Sequence, residues 1–218
     1  MLKIEKTVLP SPEQWEIIIE GMRNPMNSWD RMDSALDLRS DKVEAEWFYR
    51  IGDNDHGLMT QLSSGGPVHA KYRRMIQVYI TVNAPLYWWK EMDRYRFGVE
   101  MNSCSTMHKI HSKEFVLEDF SHNKLDKYCT GALNDLINLL NFHRKKFLVS
   151  KCKDHWWQMI QLLPSSYNQK RTVMLNYEVL ANIYKWRRNH KLDEWHTFCD
   201  WIEKLPYADL IIGGESDG

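Results

Sequence analysis

Between Met75 and Val82 apolar side chains alternate with others in a stretch rich in β-branched residues, and Pro85 then begins a run of helical spacing. A period of two predicts a strand, and a proline at a helix start predicts that the chain turns directly into a helix reaching about Tyr95. This junction constrains the fold most, because it commits the chain both to a sheet and to helices that must pack on it. Arg94 and Arg96 emerge at the far end of that helix, and a polar loop with Asn102, Ser103, Cys104 and Ser105 follows. Two guanidiniums at i, i+2 beside small hydroxyls suit an anion, since Arg forks phosphate bidentately while hydroxyls and loop amides add donors. A phosphorylated ligand is the expectation.

The rest of the chain fits around this junction. Leu2 to Val8 alternates well enough for an edge strand, and Ser11-Pro12-Glu13-Gln14 is a capping-box start for a helix to about Met22, ended by Asn24-Pro25. Residues 26 to 54 are polar and mixed and read as loop with short helix; a helical segment from Asp55 to about Leu62 precedes the Ser63-Ser64-Gly65-Gly66-Pro67 break. From Tyr128 to about Val149, Leu133, Ile137, Leu140 and Phe147 stand at helical spacing, making this the longest predicted helix. A helix from Lys153 to Leu163, a brief strand around Arg171 to Leu175, and helices from Tyr177 to Arg188 and Leu192 to Leu205 complete the order. With 218 residues and 43% hydrophobic content, residues 1–212 suffice for a single domain, and 213–218 read as a disordered tail. The expected class is α+β: a small antiparallel or mixed sheet flanked by helices, with a long central helix.

Lys plus Arg and Asp plus Glu number 29 each, so no global field draws the chain to nucleic acid or to an anionic membrane, and an anionic ligand must be met by a local cluster. No stretch approaches the roughly 20 apolar residues of a membrane span, and Met-Leu-Lys-Ile-Glu-Lys lacks the core of a signal peptide, so a cytoplasmic location is expected. The four cysteines, Cys104, Cys129, Cys152 and Cys199, are too scattered for a disulfide framework. His108 and His111 follow Cys104 without a further ligand at suitable spacing, so no metal is expected. No base stands beside Cys104 in sequence to activate it, which makes it a spectator thiol. Trp88-Trp89 and Trp156-Trp157 read as core or subunit interface, and His143-Arg144-Lys145-Lys146 as a solvated helix end.

Four separated pieces resemble one family. The Ala84-Pro85 to Arg94-Tyr95-Arg96 stretch is similar to the flavin-dependent thymidylate synthases, in which an Arg-His-Arg motif precedes a loop with Ser, Asn and Ser. Val68-His69 stands where that family carries the His of a Gly-His motif, and Leu163-Pro164, Asn176, Asn182 and Arg187 resemble its Leu-Pro, Asn, Asn and Leu-Arg series. The resemblance spans about residues 65 to 205.

It implies a flavin-dependent thymidylate synthase-like fold and a homotetramer with active sites at subunit interfaces. There FAD would carry hydride, methylenetetrahydrofolate would supply one carbon, NADPH would recharge the flavin, and deoxyuridylate, a pyrimidine nucleoside monophosphate, would become thymidylate. Position by position, Arg94, Tyr95 and Arg96 would hold the flavin and its phosphates, with His69 near the rings and Asn176 and Asn182 hydrogen-bonding the flavin. Glu91 and Asn102, Ser103, Cys104 and Ser105 would bind the nucleotide, with Ser105 and Arg187 as the catalytic positions and Arg187 facing the pyrimidine.

The departures are specific. Tyr95 replaces the middle His and does not titrate near neutral pH. The loop fits the family's Asn and second Ser only with one inserted residue. Met107 stands where a phosphate-clamping Arg is expected, and Ile160 where another Arg is. Each lost charge-assisted hydrogen bond removes about 1.5–3 kcal/mol unless something replaces it, as His108 or Lys109 could. A catalytically altered flavin- or nucleotide-binding homologue is therefore one rival. The other is a helical protein binding single-stranded nucleic acid through Trp-rich and basic surfaces, which zero net charge disfavours. Taken alone, Arg94 and Arg96 could form ion pairs with Asp93 and Glu91, while Asn182 and Asn176 could be a helix cap and a satisfied interior amide.

Overall fold

Ser11 starts the first helix as its spacing predicts. Its hydroxyl accepts from the Gln14 amide at 3.3 Å while the Gln14 side chain accepts from the Ser11 amide at 2.8 Å, with Pro12 in the first turn. In the computed structural model, which describes residues 2–39 and 46–213, this helix is α1 (Pro12–Arg23) and follows strand β1 (Lys3–Val8). Next come β2 (Ala35–Arg39), β3 (Glu46–Arg50), α2 (Asp53–Ser64), β4 (Gln77–Pro85), α3 (Leu86–Met92) and β5 (Glu100–Ser103). The chain continues through α4 (Lys127–Ser150), α5 (Lys153–Leu162), β6 (Asn168–Asn176), α6 (Tyr177–Arg187), α7 (Asp193–Ile202) and α8 (Asp209–Ile212). One sheet has four strands in the order β1-β4-β6-β5, and β2 pairs with β3 in a second, antiparallel one. The class is α+β as expected, with the 24-residue α4 as its longest described helix.

The strand-to-helix junction is present, shifted slightly. Val78, Ile80, Val82 and Ala84 are buried along β4, and Pro85 is its last residue, so α3 begins at Leu86. That helix stops at Met92 instead of Tyr95.

Three expectations need correction. Residues 26 to 54 carry the expected short helix at Trp29–Arg31, but their described part also holds the antiparallel β2-β3 pair, in which Leu36 lies opposite Tyr49 and Leu38 opposite Trp47. The polar residues before the hairpin serve buried bonds instead of solvent. Asp55 receives Arg23 Nε at 2.5 Å, the Asp33 and Ser34 amides at 3.0 and 2.9 Å, and Ser34 Oγ at 2.6 Å. Burial by itself would raise the Asp55 carboxyl, but these donors outweigh it and hold the group below its usual range. Asn102 and Ser103 are strand residues at the end of β5, so the polar loop begins at Cys104, whose amide donates to the Lys170 carbonyl at 2.9 Å. The basic run is only half solvated. Arg144 Nε donates to the His111 carbonyl at 3.0 Å and His143 Nδ1 lies 3.1 Å from His155 Nδ1, which leaves Lys145 and Lys146 exposed. Of the expected tail, Gly213 caps α8, and 214–218 lie outside the described residues.

The chain divides into two compact units. The first comprises Met1–Glu5, Thr81–Arg94 and Met101–Thr172. Its core joins Leu133, Ile137 and Leu140 of α4 to Met159 of α5, Phe115 and Phe120. Trp88 and Trp89 are fully buried, and Trp89 Nε1 donates to the Gln169 carbonyl at 2.9 Å, satisfying its polar edge. The second comprises Lys6–Ile80, Tyr95–Glu100 and Val173–Gly218. It buries Ile18, Ile19 and Met22 of α1, Leu180 and Ile183 of α6, and Trp195 and Phe198 of α7. Each such side chain contributes about 1.5–3 kcal/mol on leaving water. Among the described residues no helix is long and apolar enough to cross a membrane.

Candidate functional site

Within the second unit, the first turns of α6 border a cavity of about 670 Å³. Asn176 caps this helix: its Oδ1 accepts from the Val179 amide at 3.0 Å. Helical spacing sets Glu178, Asn182 and Lys185 on one face, and all three line the cavity. Asn176 is therefore the cap and Asn182 a mid-helix side chain, the reverse of their bland reading.

Charge in the lining is unbalanced. Arg73 donates from Nε to Glu178 Oε2 at 2.8 Å and from Nη1 to the Leu210 carbonyl at 3.0 Å, and its Nη2 lies 2.7 Å from the same Glu178 oxygen as an ion pair. That pair is neutral, whereas Arg74 and Lys185 also line the cavity, giving three cations against one carboxylate. The surplus suits an anionic ligand. Ser63, another lining residue, hydrogen-bonds Tyr72 at 2.6 Å; the Tyr72 hydroxyl donates onward to the Met59 carbonyl at 2.8 Å, and burial pushes it up to about 12. Tyr184 donates to Glu203 at 2.7 Å, and its hydroxyl is raised by burial first and by that bond second.

The turn before β5 shapes the cavity from the other part of its lining. Gly98 has φ +73°, and a Cβ there would sit 2.9 Å from Asn176 Nδ2, so only glycine lets this backbone approach the α6 cap. Phe97 precedes it and lines the cavity too.

Of the residues singled out in the sequence, Asn176 and Asn182 share the cavity. Gly66 and Pro67 belong to its lining, and His69 lies exposed in the same turn, its amide donating to the Gly66 carbonyl at 3.0 Å. Tyr95 and Arg187 meet directly: Arg187 Nε donates to the Tyr95 hydroxyl at 3.0 Å, and the guanidinium lies 4.9 Å from the Trp195 ring centre. Arg96, exposed, belongs to this second unit, while Arg94, Glu91 and Asn102 to Ser105 belong to the first. There Ser105 Oγ accepts from the Met107 and Lys109 amides, both at 3.3 Å, and Asp93 binds Arg171 at 2.6 Å. Met107 is exposed and its carbonyl accepts from Trp156 Nε1 at 3.0 Å, whereas Ile160 packs against the apolar core of the first unit.

Sequence reading missed Phe97, Gly98, Glu178 and Lys185. The last two were accessible, since a helix carrying Asn182 into a site also carries residues four before and three after it. Among the described residues no three His, Cys, Asp or Glu side chains are grouped to hold a metal. What the lining offers is amide hydrogen bonding and cationic charge compensation.

No protein-family model matches the sequence. No curated protein sequence matches it either. Solved structures do share its fold. A flavin-dependent thymidylate synthase from Helicobacter pylori with FAD and dUMP superposes with a TM-score of 0.66 at 14% identity, covering 99% of each chain. A second structure of that enzyme complexed with FAD and dUMP gives 0.63 at 15%, over 97% of this chain and 98% of that one. The UMP/dUMP methylase PolB from Streptomyces cacaoi, bound with 5-Br dUMP, gives 0.59 at 12%, over 93% and 88%. The chain thus has the fold of these nucleotide-methylating enzymes along nearly its whole length.

Proposed function

We propose that this chain is a flavin-dependent methylase of a uridylate nucleotide, converting deoxyuridylate or a close relative to its 5-methyl form as a homotetramer. The observation that carries the reading is the α6 cavity: Asn176 and Asn182 beside surplus cations, in a fold whose neighbours hold FAD and dUMP. A volume of about 670 Å³ falls in the range of small-molecule sites, roughly 300–1,000 Å³, and the glycine-only approach at Gly98 gives the cradle a fixed shape. These residues fit part of a phosphate-bearing dinucleotide.

FAD, when bound, would supply the hydride chemistry, with NADPH as the reductant and methylenetetrahydrofolate as the one-carbon donor. The chain's own residues position and neutralise. Asn176 and Asn182 would offer amide groups to the flavin, and Arg94 and Arg96, with Tyr95 between them, would compensate its phosphates, as the family resemblance implies. Tyr95 also orients Arg187 through the 3.0 Å bond, so the aromatic replacement of the family's middle His holds a guanidinium intended for the pyrimidine. In the Asn102 to Ser105 segment, the two 3.3 Å bonds to Ser105 Oγ are long, and a phosphate oxygen would accept from the same Met107 and Lys109 amides more strongly.

A second reading keeps the flavin or nucleotide and drops thymidylate synthesis. Its support is Ile160, which belongs to an apolar core where the family resemblance expects a phosphate-binding Arg. One experiment separates the two. Purified protein is incubated with FAD, NADPH, methylenetetrahydrofolate and either dUMP or UMP, and the nucleotides are weighed by mass spectrometry. Yellow protein and a 5-methylated nucleotide are expected; yellow protein without product selects the second reading, and protein that takes up no flavin defeats both.

A further inference from the structure

Phe97 is 95% exposed although the chain is anchored on both sides of it. On one side the Tyr95 hydroxyl holds Arg187 at 3.0 Å; on the other Gly98 is fixed in the left-handed region against Asn176, and Val99 is buried, only 8% exposed. The Phe97 side chain therefore stands outside the core while the chain on either side of it is held. A single exposed apolar residue is ordinary on a protein surface. This one borders a cavity, beside the Asn176 and Asn182 amides and the surplus cations Arg74 and Lys185.

An aromatic face, amide groups and cations at one cavity match a ligand that joins a flat heteroaromatic ring to a phosphate. We infer that Phe97 is the ring-stacking residue of this cavity and sets its preference for phosphorylated planar heterocycles. The inference rests on the flavin reading for the identity of the ligand, though not for the class. Stacking a ring on Phe97 removes from water both the ring and a side chain that is otherwise fully hydrated, so binding gains area without moving the backbone.

The test compares wild type, Phe97→Ala and Phe97→Tyr. Dissociation constants for FAD, FMN, ADP and dUMP are measured by calorimetry, with oligomeric state followed by sedimentation. An exposed side chain can be truncated without loss of the fold, which thermal melting checks. Phe97→Ala should weaken the ligand by about tenfold, the usual scale of a lost aromatic stack, and Phe97→Tyr should retain affinity. Weakened FMN with unchanged ADP places the isoalloxazine on Phe97, and the converse places adenine there; both support the inference. Wild type that ignores flavin yet binds dUMP or ADP through Phe97 would defeat the flavin reading and leave this one standing. A Phe97→Ala variant that binds FAD as tightly as wild type, or one that alters only self-association, overturns the stacking role. Binding of none of the four ligands overturns it as well.

Discussion

Two arginine–carboxylate pairs in the second unit share one chemistry and differ in their surroundings. Arg23–Asp55 is sealed, with side chains 3% and 0% exposed and the carboxylate also receiving two backbone amides and a hydroxyl. Arg73–Glu178 is nearly as buried on its cationic side, at 7%, but Glu178 is 21% exposed and faces the cavity. A sealed pair can only hold elements together, here α1, α2 and the segment leading to the β2-β3 hairpin. A pair at a cavity wall also sets the potential felt by a ligand. The comparison teaches that burial of an ion pair identifies neither role by itself; what the remaining lone pairs and protons face does.

Breaking the sealed pair should have the largest effect. Asp55→Asn leaves the Arg23 guanidinium buried without its counter-charge and is expected to lower unfolding free energy by about 3–5 kcal/mol in denaturant titrations. The same group sets an acid limit. Its folded carboxyl lies below the ordinary carboxylate value of about 4, so the stabilisation is complete above that value and is lost as pH falls through the lower, folded one. Wild-type stability should therefore drop on acidification below about pH 4, and Asp55→Asn should flatten that drop. A variant with unaltered acid sensitivity would show that other carboxylates govern it.

Gly98→Ala comes next, and tests whether the cavity wall has a sealed part of its own. The φ of +73° and the 2.9 Å approach to Asn176 both oppose a Cβ, so a loss of about 1–3 kcal/mol is expected, together with weaker ligand binding. Thermal melts and ligand titrations on the same samples check it; an unchanged melting point would mean that the turn relaxes freely.

Much of this architecture was legible in the sequence, and the failures have physical reasons. The capping box at Ser11, the β4 alternation and the stripe of Leu133, Ile137 and Leu140 are local patterns, and local patterns read correctly. The hairpin after Met32 was missed because its register is carried by only Leu36, Leu38, Trp47 and Tyr49, while the polar residues around it resemble loop until Asp55 is seen collecting their donors. Asn102 and Ser103 looked like loop because polar strand residues are uncommon; as β5 they take an end position beside β6. Site residues divided similarly. Asn176 and Asn182 could be found in the sequence and share a cavity, but Arg73, Arg74 and Phe97 join them only through tertiary folding, which spacing along the chain does not encode.

The smallest stability effects sharpen the comparison most, because they separate charge from structure. Glu178→Gln keeps a hydrogen-bond acceptor for Arg73, which also retains the Leu210 carbonyl, so it should lower stability by only about 1–2 kcal/mol, well short of Asp55→Asn. Lys185→Ala, at an exposed helical position, should stay within about 0.5 kcal/mol of wild type. Their effects on an anion in the cavity should nevertheless oppose one another. Removing the single lining carboxylate should tighten pyrophosphate or ADP by roughly fivefold, and removing a cation should loosen it by a similar factor, about 1 kcal/mol each way. Both shifts should shrink as salt is raised, since exposed charges are screened. Calorimetric titrations at two ionic strengths measure this directly. Shifts in the same direction would place the anion elsewhere and return Arg73–Glu178 to the purely structural role of Arg23–Asp55.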